Sequence, residues 1–354
     1  MASPRKAKTK LAPIEISLMN SRRVCALLAL AVCLVNLTAV FGHTPLVPRE
    51  NENLAAATII ADPAKSWAIY DSLYEAQEAH YYRFSIAQGK RIYIALLVSP
   101  ASRDRGFAPS FILIGPGFRS EGSVPDYVEL PEGLDFVLAE GKPAAQATYE
   151  GFSPSSFYFA AVLNLSAPMA GTYYIAVYEP KQGGQYGLVV GYEESFTLTE
   201  WILVPINLLS IYRWEGQSLP QILAPMSTVV LIGAFLFVRK TRSRKSTIVS
   251  VWIGLLAGLF FLGTGATNLS QMGFALTRAP FGPEVSVTLV FAAIPILLGI
   301  VTLRLISRIR DEFTLIRRLW FLLIGFLALF LWAGYLVGPA LAIATSLLPT
   351  KTGQ

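Results

Sequence analysis

The sequence predicts a mixed membrane protein: an extracytoplasmic antiparallel β-sandwich followed by a four-helix transmembrane bundle. Of its 354 residues, 53% are hydrophobic and only 15% are charged, whereas soluble domains carry about 25% charged residues. The composition changes abruptly near Leu219, from ordinary and aromatic-rich to dominated by aliphatic residues and glycine. Apolar residues recur with period two before this point and form continuous runs after it, which indicates strands and then spanning helices.

The first 42 residues combine a basic tail with a hydrophobic segment. Residues 1–23 carry six Lys or Arg and one Glu, and the 18 residues at 24–41 carry no charge. This length lies between that of a signal-peptide core and that of a spanning helix. We therefore expect a cleaved signal peptide or a retained signal anchor, with residue 43 onward exported. The only two cysteines of the sequence, Cys25 and Cys33, lie in this segment, so the exported domain has no disulfide.

Residues 43–195 are predicted to form the extracytoplasmic domain. Runs of β-branched and aromatic residues alternate with Gly, Pro and Asn clusters, a pattern typical of short antiparallel strands in a β-sandwich. A hairpin turn is expected at residues 181–184. Residues 118–156 are expected to hold long loops with one or two edge strands. The predicted strands are residues 80–86, 91–98, 110–114, 157–165, 172–178 and 186–192.

Residues 196–218 are predicted to form an interfacial connector. A short helix capped by Thr199 is expected here, and Pro205 is expected to kink it. Aromatic residues with amphipathic rings favour the headgroup level of a bilayer. The candidate interfacial anchors are Trp201, Tyr212 and Trp214.

Four transmembrane helices are predicted after the connector. The spans are residues 219–238, 247–269, 285–303 and 319–348. Twenty residues of helix extend about 30 Å, which is enough to cross the hydrocarbon core. Basic residues follow the first and third spans, so the positive-inside rule places both loops in the cytoplasm with the N-terminal tail. Simple alternation of the spans then places residues 349–354 outside.

The charge distribution argues against nucleic-acid binding. The chain as a whole has a net charge of +6, but residues 43–218 carry 19 Asp or Glu against 11 Lys or Arg, a net charge of −8. Nucleic-acid-binding domains gather basic residues on one exposed surface, whereas this chain keeps them in its N-terminal tail and two short loops. The expected partners are the lipid bilayer and either a membrane protein or a glycan.

No catalytic or metal-binding constellation stands out, and no cofactor is predicted. The sequence has two histidines, His43 and His80, and we expect His80 to be an ordinary residue at the end of a sheet. Zinc and copper sites use several His or Cys ligands, which the exported domain does not offer. The predicted spans contain no Asp, Glu, Lys, Arg or His, which counts against a pump or a coupled carrier.

The second predicted span carries a face of small residues. Gly254 and Gly258 have the spacing that lets two helices approach closely, and Gly263 extends the same face. These three glycines form a candidate helix-docking face. Both packing within the bundle and docking of a partner subunit are consistent with it.

Three segments of the exported domain match the strand pattern of a known family. Residues 170–178, with the sequence AGTYYIAVY, and residues 183–190, with the sequence GGQYGLVV, resemble the last hairpin of the pre-peptidase C-terminal-type domain family. Residues 80–89 resemble its opening strand. The resemblance covers about 110 residues and departs from the family pattern at residues 107–111. It implies a jelly-roll-like accessory or binding module rather than an active site.

The leading hypothesis is a non-enzymatic membrane protein. Its outer β-sandwich would bind a partner protein or an envelope glycan, and its helices would anchor it as an accessory subunit of a membrane complex. A second hypothesis is a sensor or transport accessory that passes ligand occupancy through the connector. A third is a membrane-bound enzyme acting on lipid or glycan, which substitutions of single carboxylates such as Asp126, Asp135 and Glu200 would test.

Overall fold

The computed structural model describes residues 43–120, 122–241, 249–307 and 314–348. The predictions for residues 1–42 and 349–354 lie outside this range. A short helix, α1, spans Pro100–Asp104. In chain order the strands are β1 Thr44–Pro45, β2 Thr58–Ile59, β3 Trp67–Leu73, β4 Ala79–Ile86, β5 Arg91–Val98, β6 Ser110–Gly115, β7 Asp135–Ala139, β8 Thr148–Glu150, β9 Ser155–Ser166, β10 Gly171–Tyr178 and β11 Gly184–Val190.

The strands form two sheets. The first has the order β1-β3-β11-β5-β9-β8 and the second the order β2-β4-β10-β6-β7. β10 and β11 follow each other in sequence but lie in different sheets, so the hairpin expected at residues 181–184 is wrong. The Glu179 carboxylate accepts hydrogen bonds from the backbone amides of Lys181 and Gln182, both at 2.6 Å. These bonds turn the chain from one sheet to the other.

One hydrophobic core lies between the two sheets. Ile94 and Leu96 of β5, in the first sheet, belong to the same buried cluster as Tyr82 of β4 and Ile175 of β10, in the second sheet. All four side chains are fully buried. Burying an aliphatic or aromatic side chain contributes about 1.5–3 kcal/mol. The alternation of apolar residues therefore fixes which face of each strand points inward.

The six strands expected from the sequence are all present, and their ends differ from the predicted ends by at most two residues. Residues 118–156 contain two further strands, β7 at the edge of the second sheet and β8 at the edge of the first. The sequence does not predict β3, because Asp71 and Ser72 interrupt its apolar pattern.

Helices follow the two sheets. They are α2 Leu198–Trp214, α3 Leu219–Thr241, α4 Val249–Ala275, α5 Val285–Ser307, α6 Leu315–Phe330 and α7 Val337–Leu347. Within the described part of the chain, α3, α4 and α5 are long and apolar enough to cross a membrane. They occupy the positions of the first three predicted spans. α4 lies between α3 and α5 and packs against both.

The fourth predicted span, residues 319–348, is wrong, because α6 and α7 form a helical hairpin there. The turn between them includes Trp332, Gly334 and Tyr335, which have positive φ angles of 54°, 76° and 54°. α6 and α7 pack side by side, with Gly325 of α6 against Ile343 of α7. A glycine lets two helices approach closely, so the apolar run folds back on itself instead of crossing once.

The hairpin returns the chain to the basic ends of the helices. Arg318, near the start of α6, donates a hydrogen bond to the carbonyl oxygen of Leu348 at 2.6 Å. Ile306 near the end of α5 and Thr345 near the end of α7 both lie beside Gly254 near the start of α4. α3 and α5 carry basic residues in their last turns. Leu348 therefore lies at the same end of the helices as the basic residues. The prediction that the C-terminal end lies on the opposite side from the basic loops is wrong for the chain up to this residue.

Candidate functional site at the junction of the first sheet and the connector helix

The predicted connector contains one continuous helix, α2. The Thr197 hydroxyl accepts a hydrogen bond from the Glu200 amide at 3.3 Å, and the Glu200 carboxylate accepts one from the Thr197 amide at 2.7 Å. The cap lies at Thr197 rather than at Thr199, and such a cap stabilises a helix by about 1 kcal/mol. Pro205 lies inside α2 without ending it. Glu200 also forms an ion pair with Lys65 of the sheet domain at 2.9 Å.

The C-terminal end of α2 packs on the outer face of the first sheet. The indole N–H of Trp214 donates a hydrogen bond to the Tyr186 carbonyl oxygen at 3.0 Å. The indole meets the Tyr70 ring edge to face, with 5.1 Å between the ring centroids. Gly187 of β11 faces the indole, and a Cβ there would lie 3.6 Å from it. The chain that leads into α3 is therefore held against the sheet.

A buried polar network continues from this contact to α4. Glu215 accepts hydrogen bonds from the Ser156 amide at 2.6 Å and from the Gln217 side chain at 3.2 Å. The side chains of Gln217 and Gln271 exchange two hydrogen bonds at 2.7 and 2.9 Å. All four residues are buried, and burial raises the pKa of Glu215 to about 7. Satisfied buried networks favour a single arrangement, so β9, the α2–α3 loop and α4 are held together.

A second junction joins the strand β8 region to α5 and the hairpin. The hydroxyls of Tyr149 and Thr288 lie 2.6 Å apart, and the Thr288 hydroxyl donates to the Gly151 carbonyl oxygen at 2.6 Å. The Phe152 ring meets Trp332 of the hairpin turn at a centroid distance of 4.8 Å and Phe291 of α5 at 5.5 Å, both edge to face. The sheet domain and the helices thus share buried contacts at two separate places.

A cavity of about 240 Å³ lies beside the first junction. The first sheet and the loop after β8 line one side, and α2 lines the other. Most of the wall is apolar. Because α2 leads directly into α3, a ligand in this cavity would contact the chain immediately before the first long apolar helix. The side chains most relevant to recognition are Tyr70, Glu150, Phe157, Asn207, Ile211 and Trp214.

Glu150 provides the carboxyl group of the cavity wall. Burial raises its pKa to about 7, and the nearby Glu194 and Glu284 charges also raise it, against a hydrogen bond from the Phe152 amide at 3.0 Å. His43 also lines the cavity, and burial lowers its pKa to about 4. None of the described lining residues is Lys or Arg. The charged form of Glu150 is therefore costly unless a cation accompanies it.

The three candidate interfacial anchors take different positions. Tyr212 is fully buried and Trp214 is 6% exposed, so their rings contact protein and leave no face for lipid headgroups. Trp201 is partly exposed. Its indole N–H donates to the Phe330 carbonyl oxygen at 3.0 Å, and its own carbonyl oxygen accepts from the Trp332 indole at 2.7 Å. Trp201 therefore ties α2 to the hairpin.

The three glycines of the candidate helix-docking face are buried against helices of the same chain. Gly254 and Gly258 both face α5, and a Cβ on Gly254 would lie 2.5 Å from the Ile306 side chain. Gly263 faces Met226 of α3. This face is occupied by α3, α5 and the hairpin, where small residues permit close packing.

His80 lies near the start of β4 and is buried in a polar network. Its ring nitrogens are 2.9 Å from Asp71 and 3.0 Å from Glu78. The hydroxyls of Tyr82 and Tyr186 donate to Asp71 at 2.8 and 3.1 Å. Burial alone would lower the pKa of His80, but the hydrogen bonds and charges of Asp71 and Glu78 outweigh it and raise the pKa. No group of His, Cys, Asp or Glu among the described residues is arranged to hold a metal ion.

The carboxylates suggested for testing an enzymatic function do not converge on one site. Glu200 caps α2 and pairs with Lys65. Asp135 accepts a hydrogen bond from the Ser120 hydroxyl at 2.6 Å, and Asp126 is exposed in the loop before β7. The sequence did not single out Glu150 or Glu215, because neither belongs to a recognisable motif.

One of three comparisons with known proteins finds a domain of the kind that the sequence resembles. No family model matches the chain, and no curated protein matches it. Among solved structures, the chain is similar to the pre-peptidase C-terminal domain of a collagenase from Bacillus anthracis, with 19% sequence identity and a TM-score of 0.21. The match covers 37% of this chain and 91% of that domain.

Proposed function

We propose that this chain is a non-enzymatic membrane-anchored binding protein, an accessory subunit whose outer β-sandwich docks a partner protein of a membrane complex. α3, α4 and α5 cross the bilayer in this proposal, and the hairpin enters it from the cytoplasmic side. The basic ends of α3 and α5 face the cytoplasm, in keeping with the positive-inside rule. The two buried junctions would keep the outer domain in a fixed position over the helices.

An exposed patch on the first sheet is the observation that carries this proposal. Phe159 and Val162 of β9 are 38% and 50% exposed, and they pair in register with Leu97 and Ala95 of β5. The same outward face of β5 and β9 presents further exposed or partly exposed polar and aromatic side chains. We define the β9 patch as Arg91, Tyr93, Phe159, Val162 and Asn164.

The chemistry of the β9 patch fits a protein surface. Tyr, Phe and Arg are enriched in protein interfaces, and Tyr and Arg are frequent at their energetic centres. The Arg91 guanidinium lies 5.5 Å from the Tyr93 ring centroid and donates a hydrogen bond to Asn164 at 3.0 Å. These contacts hold the polar side chains beside the apolar Phe159 and Val162. The alternative ligand, an envelope glycan, would use Tyr93 and Asn164 but gain little from the aliphatic Val162.

Recovery of the full chain from its native membrane tests the proposal. Wild type, Val162→Asp and Ile59→Asp would be purified in a gentle detergent, and the co-purifying proteins would be quantified by mass spectrometry. Ile59 is a matched control, because it is an aliphatic residue on the second sheet that is 61% exposed. We expect a stoichiometric partner with wild type and Ile59→Asp that is lost with Val162→Asp. Equal recovery in all three samples, or no stoichiometric partner in any, would contradict the proposal.

A second candidate function, a sensor or transport accessory, is favoured by the cavity that the sheet shares with α2. Its occupant would contact both the outer domain and the segment that leads into α3. A ligand that fills the cavity should then change the protection of α3 amides in hydrogen–deuterium exchange. If the exchange pattern in α3 is identical with and without ligand, ligand binding does not affect α3, and the sensor function is contradicted.

A further inference from the structure

We infer that the cavity between the first sheet and α2 binds a small organic cation, one with an alkylated ammonium group, and that Glu150 is its counter-ion. The cavity and the β9 patch share no residue, although the Phe157 ring on the cavity wall meets the Phe159 ring of the patch at a centroid distance of 5.3 Å. This inference concerns a small ligand and therefore goes beyond the proposed docking function. Its test does not require a partner protein.

The first argument is charge. None of the ion pairs among the described residues involves Glu150. Among the residues that the structure describes, the titratable groups around it supply no positive charge at neutral pH. From the strand regions these are His43, with its lowered pKa, and the phenol of Tyr70. From the other elements they are Glu194 after β11, Glu284 before α5 and Glu215 after α2.

A carboxyl group in these surroundings must either keep its proton or gain a cation from outside the chain. Burial raises its pKa to about 7, so the two states lie close in free energy at neutral pH. An arriving cation would therefore displace a proton at little cost. Binding should release that proton to solvent.

The second argument is the cavity wall. Tyr70, Phe157 and Trp214 line the cavity together with Glu150. Aromatic rings attract cations with about 0.5–2 kcal/mol each, and aromatic walls are a common way to bind alkylated ammonium groups. A metal ion would instead need several oxygen, nitrogen or sulfur ligands, which this mostly apolar wall does not provide.

The third argument is size and position. Sites for drug-sized ligands are roughly 300–1,000 Å³, so a cavity of about 240 Å³ suits a smaller ligand. α2 exposes Leu203 and Ile206, which places the cavity near an apolar surface. The ammonium group could belong to a free solute or to a lipid headgroup. The two sources share one recognition chemistry and can be separated by experiment.

Calorimetric titration of the full chain in a zwitterion-free detergent tests this site. Choline chloride and tetramethylammonium chloride are the probes, sodium chloride at equal ionic strength is the salt control, and 3,3-dimethyl-1-butanol is the neutral isostere of choline. We expect saturable binding of both ammonium probes and none of the neutral alcohol. Affinity should rise severalfold between pH 6 and pH 8, with release of a proton below pH 7. Equal binding of the neutral alcohol would overturn the inference.

Substitution of Glu150 distinguishes binding at a specific site from non-specific binding. Glu150→Gln keeps the shape of the side chain and should weaken choline binding at least tenfold. Glu132→Gln, at an exposed carboxylate before β7, should leave it unchanged. A thermal unfolding curve of Glu150→Gln like that of wild type would show that the loss is not misfolding, and Phe157→Leu should weaken binding independently. Undiminished binding by Glu150→Gln would overturn the inference, whatever the result for Phe157→Leu.

Reconstitution of the full chain in nanodiscs of different lipids distinguishes a lipid headgroup from a free solute as the source of the cation. In nanodiscs of phosphatidylcholine, a site that takes lipid headgroups should show a lower apparent affinity for choline than in nanodiscs of phosphatidylglycerol. Equal affinity in the two lipids assigns the site to a free solute. Choline binding in neither lipid nor detergent contradicts the site altogether.

Discussion

Removal of the His80 side chain should destabilise the sheet domain strongly. The imidazole lies between Asp71 and Glu78, at 2.9 and 3.0 Å, and is 2% exposed. His80→Ala would leave the Asp71 carboxylate, whose side chain is only 14% exposed, with two tyrosine hydroxyls but without its cationic partner. Breaking a buried charged pair in this way costs about 3–5 kcal/mol. At about 2–4 °C per kcal/mol for a domain of this size, the midpoint should fall by roughly 6–20 °C.

The assay is thermal unfolding of the full chain in detergent, followed by near-ultraviolet circular dichroism of the buried tyrosines. Tyr74→Ala is the control, because Tyr74 is 81% exposed and exposed substitutions usually change stability by less than about 0.5 kcal/mol. A His80→Ala midpoint equal to that of Tyr74→Ala would refute the assignment of a charged network.

The dependence of this effect on pH has a definite sign. Because the folded pKa of His80 is raised, its charged form stabilises the fold fully below the unfolded pKa of about 6.5. This contribution is lost as pH rises through the folded pKa. The pKa of Asp71 is lowered, since hydrogen bonds and charge from His80 outweigh the opposing effect of burial. Its contribution is therefore lost as pH falls through its own folded pKa. A wild-type advantage over His80→Ala that grows in alkali would contradict this reasoning.

Three substitutions at the junctions and in the helices test the remaining contacts. Glu215→Gln should flatten the pH dependence of stability. The pKa of Glu215 is raised from 4.5 to about 7. As the pH rises between these two values, the free energy of unfolding of wild type should therefore fall by on the order of 3 kcal/mol. Unfolding at pH 5 and at pH 8 measures this difference. Phe152→Ala should cost about 3–5 kcal/mol and speed amide exchange in α5 near Phe291. Gly254→Val should cost about 1–3 kcal/mol through overpacking, unlike Gly273→Val on the same helix, where a Cβ meets nothing within 4 Å.

Local periodicity was sufficient to predict most of the sheet domain. The first half of β5 alternates the outward Arg91 and Tyr93 with the inward Ile92 and Ile94, and this pattern is visible in sequence. β3 was not predicted because its inward-facing Asp71 is polar. The residues that form hydrogen bonds with Asp71 include one that lies far away in sequence. Tyr186 is 115 residues from Asp71. A buried polar group breaks the local pattern, although distant partners satisfy it in the fold.

The helical hairpin of α6 and α7 and the cavity could not be predicted from the sequence, for other reasons. An apolar run of 30 residues at 319–348 exceeds the roughly 20 needed to span a bilayer, and Gly334 and Pro339 were available as signals of a turn. Composition alone does not distinguish one tilted helix from two packed ones. The cavity combines side chains from residue 43 to residue 214. Glu150 lies in the region with the weakest strand pattern, so nothing local marks it.

Sidedness of labelling tests the central claim, that the sheet domain and the basic ends of the helices lie on opposite sides of the membrane. Single cysteines would be introduced by Thr172→Cys, Leu315→Cys and Leu347→Cys in a chain whose natural cysteines are changed to Ser. All three positions are exposed in the structure. Intact cells and permeabilised cells would then be treated with an impermeant maleimide. We expect labelling of position 172 in intact cells, and of positions 315 and 347 only after permeabilisation. Labelling of position 347 together with position 172 in intact cells would contradict the hairpin and the orientation derived from it.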